Sequence, residues 1–125
     1  EIAVFADSGD IERIFSNLLD NAIKYTPVGG KVSLRIEMQE DQVLAVVSDS
    51  GIGIAQEDQE RIFKGFYRTE AAKETGEMGT GMGLSIVKKL VERCRGELKL
   101  ISAPGEGCRF EVRLPAATGK VSAAS

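Results

Sequence analysis

The hydrophobic residues of this 125-residue chain recur with two different periods, and the switch between them constrains the fold more than any other feature. Over residues 11–23 they recur every three or four positions, as on one face of an amphipathic helix. Asp7 and Ser8 can cap the start of this helix, and Pro27 disfavours helical conformation in the residue before it. The pattern predicts a first helix that ends near Tyr25.

From residue 31 the period changes to two, which is the period of a half-buried strand, and it continues to residue 38. The next strand, residues 43–48, is apolar throughout, which is typical of a central strand, and it ends at Asp49. The remaining predicted elements are, in order, a short helix at residues 56–63, a second amphipathic helix at residues 84–94 that Gly96 ends, and two strands joined by a turn at residues 104–107.

The last of these strands alternates most clearly. We expect its apolar side chains, Phe110, Val112 and Leu114, to face inward. Its charged side chains, Arg109, Glu111 and Arg113, are expected to face outward. Strands with one apolar face, interleaved with amphipathic helices, predict an α/β fold. It would be a two-layer sandwich, in which helices cover one face of a mixed, mostly antiparallel sheet.

Composition limits the classes of function. With 42% hydrophobic residues and this length, one domain is expected, which we place at residues 1–115 with a flexible tail at 116–125. No apolar run approaches the roughly 20 residues of a membrane helix, so a cytoplasmic domain without direct membrane contact is expected. The net charge of -3 disfavours nucleic acid, and the absence of histidine excludes histidine chemistry within this chain. Cys94 and Cys108 are expected to be small core residues.

Three polar residues form one stripe on the first helix. Asn17, Asn21 and Lys24 are spaced i, i+4, i+7, which places them on one face. A solvated helix face is the alternative interpretation, but asparagine is a weak helix former and an expensive choice for that purpose. Two amide oxygens and an ammonium group suit a magnesium ion and its phosphates.

Two glycine-rich segments follow the central strand and precede the second helix. In the first, Asp49 stands before Gly51 and Gly53. One interpretation is that Asp49 caps an ordinary turn. The other is that its carboxylate, if buried, accepts a hydrogen bond from an exocyclic amino group such as adenine N6. The second, residues 79–84, lies before a helix start, where exposed amides favour a phosphate. It lacks the preceding strand of a dinucleotide fingerprint and the Gly-Lys-Ser/Thr of a P-loop, so a flexible lid over a triphosphate fits better.

Four segments, taken in this order, resemble the histidine-kinase branch of the superfamily that also contains gyrase, MutL and the large heat-shock ATPases. Residues 17–27 resemble the N box, 49–54 the first glycine box, 62–68 the F box and 79–84 the second glycine box. In the F box, Gly65 stands where a charged or polar residue is commoner. The resemblance covers nearly the whole chain and implies the Bergerat fold, with a mobile ATP lid over about residues 69–83.

The same resemblance implies a role for each matched residue at the phosphates. Asn21 would bind magnesium, Asn17 would assist at the phosphates, and Lys24 would contact a phosphate. Arg68 would reach the phosphates or the neighbouring domain. The second glycine box would cover the triphosphate with Gly79, Thr80, Gly81, Gly83 and Leu84.

At the base, the resemblance implies that Asp49 accepts a hydrogen bond from adenine N6. Gly51 and Gly53 would make room for the base, Ile54 would pack near it, and Tyr25 would line the nucleotide site.

The resemblance also separates phosphate transfer from hydrolysis. Hydrolases of this superfamily place a glutamate base one helical turn before the magnesium asparagine, where this chain has Asn17, and a neutral amide cannot act as that base. It therefore implies a protein-histidine kinase domain that donates the γ-phosphate of Mg-ATP to a histidine on a separate dimerisation domain, and through it to a response regulator. A serine protein kinase of the anti-sigma-factor type and a non-catalytic ATP or ADP sensor are the alternatives. The isolated domain is expected to be monomeric.

Overall fold

The structure, a computed structural model, describes residues 6–64, 72–73 and 83–116. Its first helix, α1, spans Ser8–Lys24, as the apolar spacing predicts. Asp7 caps it, because one carboxylate oxygen accepts from the main-chain N–H groups of Gly9 at 2.7 Å and Asp10 at 3.4 Å. The helix buries Ile14, Leu18 and Ala22.

Four strands form one sheet in the order β1-β2-β4-β3, with the two most buried strands in the middle. Their bounds are β1 Val32–Gln39, β2 Gln42–Asp49, β3 Glu97–Ser102 and β4 Cys108–Pro115. All three pairings among the described strands are antiparallel. In β2, Val43–Val47 are all buried, which confirms the predicted central strand.

The second helix, α2, spans Gly83–Arg93 and lies with α1 on one face of the sheet. Side chains from both layers meet in one core. The sheet contributes Val47, Phe110 and Val112 to it. The helices contribute Ile14, Leu18, Val87 and Val91. This arrangement is the predicted two-layer sandwich. Cys94 and Cys108 belong to this core, as predicted, and both are free thiols.

The helices leave part of that face uncovered at β1. Val32, Leu34, Ile36 and Met38 are 36–47% exposed, although the last three pair with buried residues of β2 on the same face. The alternation therefore predicts the strand correctly, but it does not show how far the helices reach across the sheet.

On the opposite face, the direction of Glu111 is as predicted, but its burial did not follow from the alternation. It points away from the helices as expected, but it is only 6% exposed. Arg109 Nε donates to one of its oxygens at 2.8 Å and Arg113 Nη1 to the other at 3.3 Å. Burial tends to raise the pKa of Glu111, but the two arginines outweigh burial and hold the pKa below its usual range.

Two predicted boundaries also differ from the structure. The segment predicted as one short helix forms two single-turn 3-10 helices, Gln56–Asp58 and Arg61–Phe63. Eight residues are too few for an α-helix to be favourable by itself, and tertiary contacts of Gln59 set the path of the chain. Ala116, predicted to begin the tail, is buried and donates its N–H to the Asp41 carbonyl at 2.9 Å. The packed domain therefore extends beyond residue 115, and residues 117–125 lie outside the described residues.

Candidate functional site

The Asp49 carboxylate lies at the end of β2 and is held through one of its two oxygens. Oδ1 accepts from the main-chain N–H of Gly51 at 2.8 Å and from that of Cys108 at 3.2 Å. Cys108 is the register partner of Asp49 across the β2–β4 pair. Within the described part of the chain, Oδ2 has no hydrogen-bond partner, so this half-buried carboxylate retains an acceptor for a ligand.

Burial raises the pKa of the Asp49 carboxyl, and the hydrogen bonds from Gly51 and Cys108 oppose that effect. A hydrogen bond from a ligand to this half-buried oxygen is stronger than one to an exposed carboxylate, because little water competes with the ligand. Burial also raises the pKa of the Cys108 thiol to about 11. Cys108 is therefore a neutral thiol at physiological pH.

The glycines after Asp49 allow the loop to approach two other main-chain segments. A Cβ on Gly51 would lie 2.3 Å from the Tyr25 carbonyl oxygen, and one on Gly53 would lie 1.9 Å from the Ala103 carbonyl oxygen. Between them, Ile52 N–H donates to the Tyr25 carbonyl at 3.2 Å. The space beside each glycine is thus filled by protein, which is a packing reason for both that the sequence did not indicate. The same contacts bring the end of α1 next to the Asp49 loop.

The first residue of the polar stripe of α1, Asn17, lies near the beginning of α2. Asn17 and Asn21 are partly buried, and a Cβ on Gly83 would lie 3.7 Å from Oδ1 of Asn17. Because Gly83 is the first residue of α2, the positive dipole end of that helix lies beside Asn17. Leu84 packs against the core from this first turn.

Other predicted site residues are distributed around this centre. Lys24 Nζ lies 3.6 Å from Oδ2 of Asp20 in an ion pair along α1, where both side chains are at least 36% exposed. Such an exposed pair contributes little free energy and can readily be exchanged for a phosphate. Tyr25 and Ile54 are partly buried, one at each end of the glycine loop. Arg68, Gly79, Thr80, Gly81 and most of the predicted lid lie outside the described residues.

The F box is described only in its first part. Ile62 is buried, and the ring of Phe63 meets that of Phe110 edge-on, with centroids 6.4 Å apart. Lys88 Nζ lies 5.9 Å from the centre of the Phe63 ring. Phe63 thus joins this segment to α2 and to the sheet.

Sequence reasoning missed Ser102, Gln59 and the Cys108 amide. Each of them contacts the Asp49 loop or its neighbours across a separation of 43 residues or more. A serine before a turn and a glutamine in a short helix are common, so their residue types carry no signal. The register between β2, β4 and β3 brings Ser102 and the Cys108 amide to the site, whereas Gln59 reaches Ile54 from nearby along the chain.

Comparison with known proteins identifies the family. The family model described as histidine kinase-, DNA gyrase B-, and HSP90-like ATPase matches residues 6–118. The chain belongs to this ATPase family. Its architecture is therefore the Bergerat fold that the resemblance implied.

Similar members of the ATPase family are sensor histidine kinases. The chain is 38% identical over 115 residues to the sensor histidine kinase RppB of Synechocystis sp., which covers 92% of this chain and 25% of RppB. It is 39% identical over 112 residues to the sensor-like histidine kinase SenX3 of Mycolicibacterium smegmatis, covering 90% of the chain and 29% of SenX3. The chain thus spans little more than a quarter of the length of these relatives.

Solved structures of sensor kinases share the fold. The mycobacterial sensor histidine kinase MprB superposes with a TM-score of 0.82 at 32% identity, over 90% of this chain and 76% of that one. Full-length ShkA in complex with AMPPNP superposes with a TM-score of 0.79 at 32% identity, over 93% of this chain and 23% of ShkA. Among the residues described here, no helix has the length and apolar character needed to cross a membrane.

Proposed function

We propose that this domain binds Mg-ATP and donates the γ-phosphate to a histidine on a separate dimerisation domain, as the catalytic part of a sensor histidine kinase. The observation that carries the proposal is the Asp49 carboxylate, with one oxygen held by two main-chain amides and the other without a partner among the described residues. The identity to sensor histidine kinases and the likeness to ShkA, which binds AMPPNP, support it.

Asp49 would read the base. Its free oxygen can accept from the N6 amino group of adenine, whereas guanine presents a carbonyl oxygen at the equivalent ring position and would be repelled. Tyr25 and Ile54 would line the base site, one at each end of the loop that contains Gly51 and Gly53. ATP is therefore the expected nucleotide.

The phosphates would lie between the α1 stripe and the start of α2. The amides at Gly83 and Leu84 and the Lys24 ammonium supply positive charge, and Asn17 supplies a neutral donor or acceptor. Gly79, Thr80, Gly81 and Arg68 are proposed to complete this part of the site.

The residues present also fit magnesium. Asn21 offers a partly buried amide oxygen, and the described residues contain no group of three His, Cys, Asp or Glu side chains that could hold an ion alone. Magnesium is usually bound by one or two protein oxygens together with phosphate oxygens and water, which a single asparagine suits. When bound, it would neutralise charge on the phosphates.

Transfer is favoured over hydrolysis by the residue at position 17. Asn17 cannot remove a proton from water, so the site positions the terminal phosphate without activating water against it. Because the sequence contains no histidine, the acceptor lies on another domain, from which a response regulator would receive the phosphoryl group. We expect the isolated domain to be monomeric and cytoplasmic.

The first test is calorimetric titration with ATP and with GTP in magnesium, using the wild-type domain and Asp49→Asn. The variant places an amide donor against the N6 donor, so we expect ATP affinity to fall by about 100-fold or more. Asp41→Asn, in the exposed turn between β1 and β2, is the matched control and should bind normally. Equal binding of ATP by the Asp49 variant and the wild type would contradict the proposed role of the carboxylate.

The second test addresses transfer. With γ-labelled ATP, the isolated domain should leave itself unlabelled and should label a histidine-containing dimerisation domain supplied separately. Labelling of this chain in isolation would contradict the proposal. ATP binding without transfer to the native dimerisation domain would indicate a nucleotide sensor instead.

A further inference from the structure

The Ser102 hydroxyl at the end of β3 joins two loops that are distant in sequence. It donates to the Gly107 carbonyl at 2.6 Å and accepts from the Ile54 N–H at 2.8 Å. Cys108 Sγ lies 3.4 Å from the same oxygen. Because a hydroxyl has one proton and that proton goes to Gly107, the thiol is the donor in this third contact. All hydrogen-bonding capacity of the hydroxyl is used.

The Gln59 side chain completes the connection from the other side. Its Nε2 donates to the Ile54 carbonyl and to the Ser102 carbonyl, each at 3.0 Å. The main chain of Ile54 is thus held at its N–H by Ser102 and at its C=O by Gln59. We call this set, Ser102 with Gln59, the brace.

The brace also leads to the Asp49 carboxylate. Gly107 and Cys108, which Ser102 contacts, lie directly against Asp49, since Cys108 N–H donates to Oδ1 and a Cβ on Gly107 would lie 1.9 Å from the Asp49 carbonyl oxygen. Gly105 N–H adds a 2.8 Å hydrogen bond to the Ile52 carbonyl. One hydroxyl therefore sets the position of the Asp49 loop relative to the strand that orients its carboxylate.

We infer that Ser102 and Gln59 are positioning residues of the nucleotide site, acting through Ile54 and Cys108 on the place and direction of the free Asp49 oxygen. The inference rests on the proposed ATP binding. It gives a functional reason for two side chains that do not belong to the four boxes. A base-reading carboxylate needs to be held to within a fraction of an ångström, and that requires supporting hydrogen bonds.

Ser102→Ala is the first variant. It leaves Ile54 N–H and the Gly107 carbonyl without their partner, and we expect ATP affinity by calorimetry to fall about tenfold. Ser102→Thr keeps the hydroxyl and should restore most of the affinity. Ser33→Ala, an equal change at an exposed position of β1, should have no effect.

Gln59→Glu is the second variant and tests the brace through its other side chain. It replaces two donors by a carboxylate facing two carbonyl oxygens, so an affinity loss of about tenfold is again expected. Gln56→Glu introduces the same charge at an exposed site three residues earlier and should bind ATP like the wild type.

Amide hydrogen exchange provides a measurement that does not depend on ATP. In Ser102→Ala, the Ile54 and Cys108 amides should exchange at least about tenfold faster, whereas the Leu18 amide in α1 should keep its wild-type rate. Unchanged exchange at Ile54, or wild-type ATP affinity in both brace variants, would overturn the inference. Failure of the wild-type domain to bind ATP would instead count against the proposed function. If Ser102→Ala does not fold, Gln59→Glu decides the question by the same two measurements.

Discussion

Gly53 and Gly105 form a natural pair for separating backbone strain from steric exclusion in the Asp49 loop. Both have positive φ, +73° for Gly53 and +78° for Gly105, so alanine at either position is strained. A Cβ on Gly53 would lie 1.9 Å from the Ala103 carbonyl oxygen and 2.8 Å from its carbon, whereas a Cβ on Gly105 would meet nothing within 4 Å. Only Gly53→Ala should therefore force main chain to move.

The expected free energies follow from these two contributions. Gly105→Ala should lower the free energy of unfolding by about 1–2 kcal/mol, the cost of a left-handed conformation in a residue with a Cβ. Gly53→Ala has the same strain plus an overpacking cost of about 1–3 kcal/mol, because the atom in the way is main chain and cannot rotate aside. Each kcal/mol corresponds to roughly 4 °C in Tm for a domain of this size.

Urea denaturation, monitored by circular dichroism, would measure the free energy of unfolding of both variants and of the wild type. ATP titration would then be carried out on each variant that folds. Gly53→Ala should be the less stable variant and should also bind ATP more weakly, since relief of the clash displaces Ile54 and the brace. Equal losses of stability in the two alanine variants would refute the steric argument. Wild-type ATP affinity in Gly53→Ala would show that the loop position does not matter for the site.

Two further predictions concern the ends of the helices. Arg95 follows α2 with a φ of +60°, and the next N–H, that of Gly96, donates to the Val91 carbonyl at 2.9 Å. Because glycine adopts this conformation without strain, Arg95→Gly should raise the free energy of unfolding by about 0.5–1 kcal/mol in urea denaturation. A lower free energy of unfolding would contradict this. Hydrogen bonds from Arg93 to both oxygens of Asp10 hold the pKa of that carboxyl below its usual range. Its contribution to stability is thus present above about pH 4 and lost as the pH falls through the lowered value. The stability difference between wild type and Asp10→Asn should shrink as the pH falls below about 4, and a constant difference would exclude the ion pair as its cause.

The Asp10–Arg93 pair shows where local reasoning stops. Asp10 lies in the first turn of α1, where a carboxylate is locally favourable, but its partner Arg93 is at the far end of α2. The helix dipole is a local property that any first-turn carboxylate meets. The arginine is brought close only because the two helices pack against each other.

Glu111 illustrates the same limit in the sheet. Alternation correctly indicates the face on which it lies, because successive side chains of a strand point to opposite faces. The burial of Glu111 depends on the conformations of the neighbouring side chains, and here two arginines of the same strand cover the carboxylate. The period of two puts the three side chains on one face, but it does not show that the arginines fold over Glu111 and bury it.

The sequence by itself determined the helices, the strands, the layered fold and the segments that carry the nucleotide motifs, because periodicity, caps and glycine placement act over a few neighbouring residues. It also determined that any acceptor histidine lies elsewhere. Only the tertiary structure decided which oxygen of Asp49 is free, since the amide of Cys108 reaches the other oxygen through the β2–β4 register. The same register brings Ser102 to Ile54. Hydrogen bonds between strands join residues that are distant along the chain, and their partners follow from the packed fold.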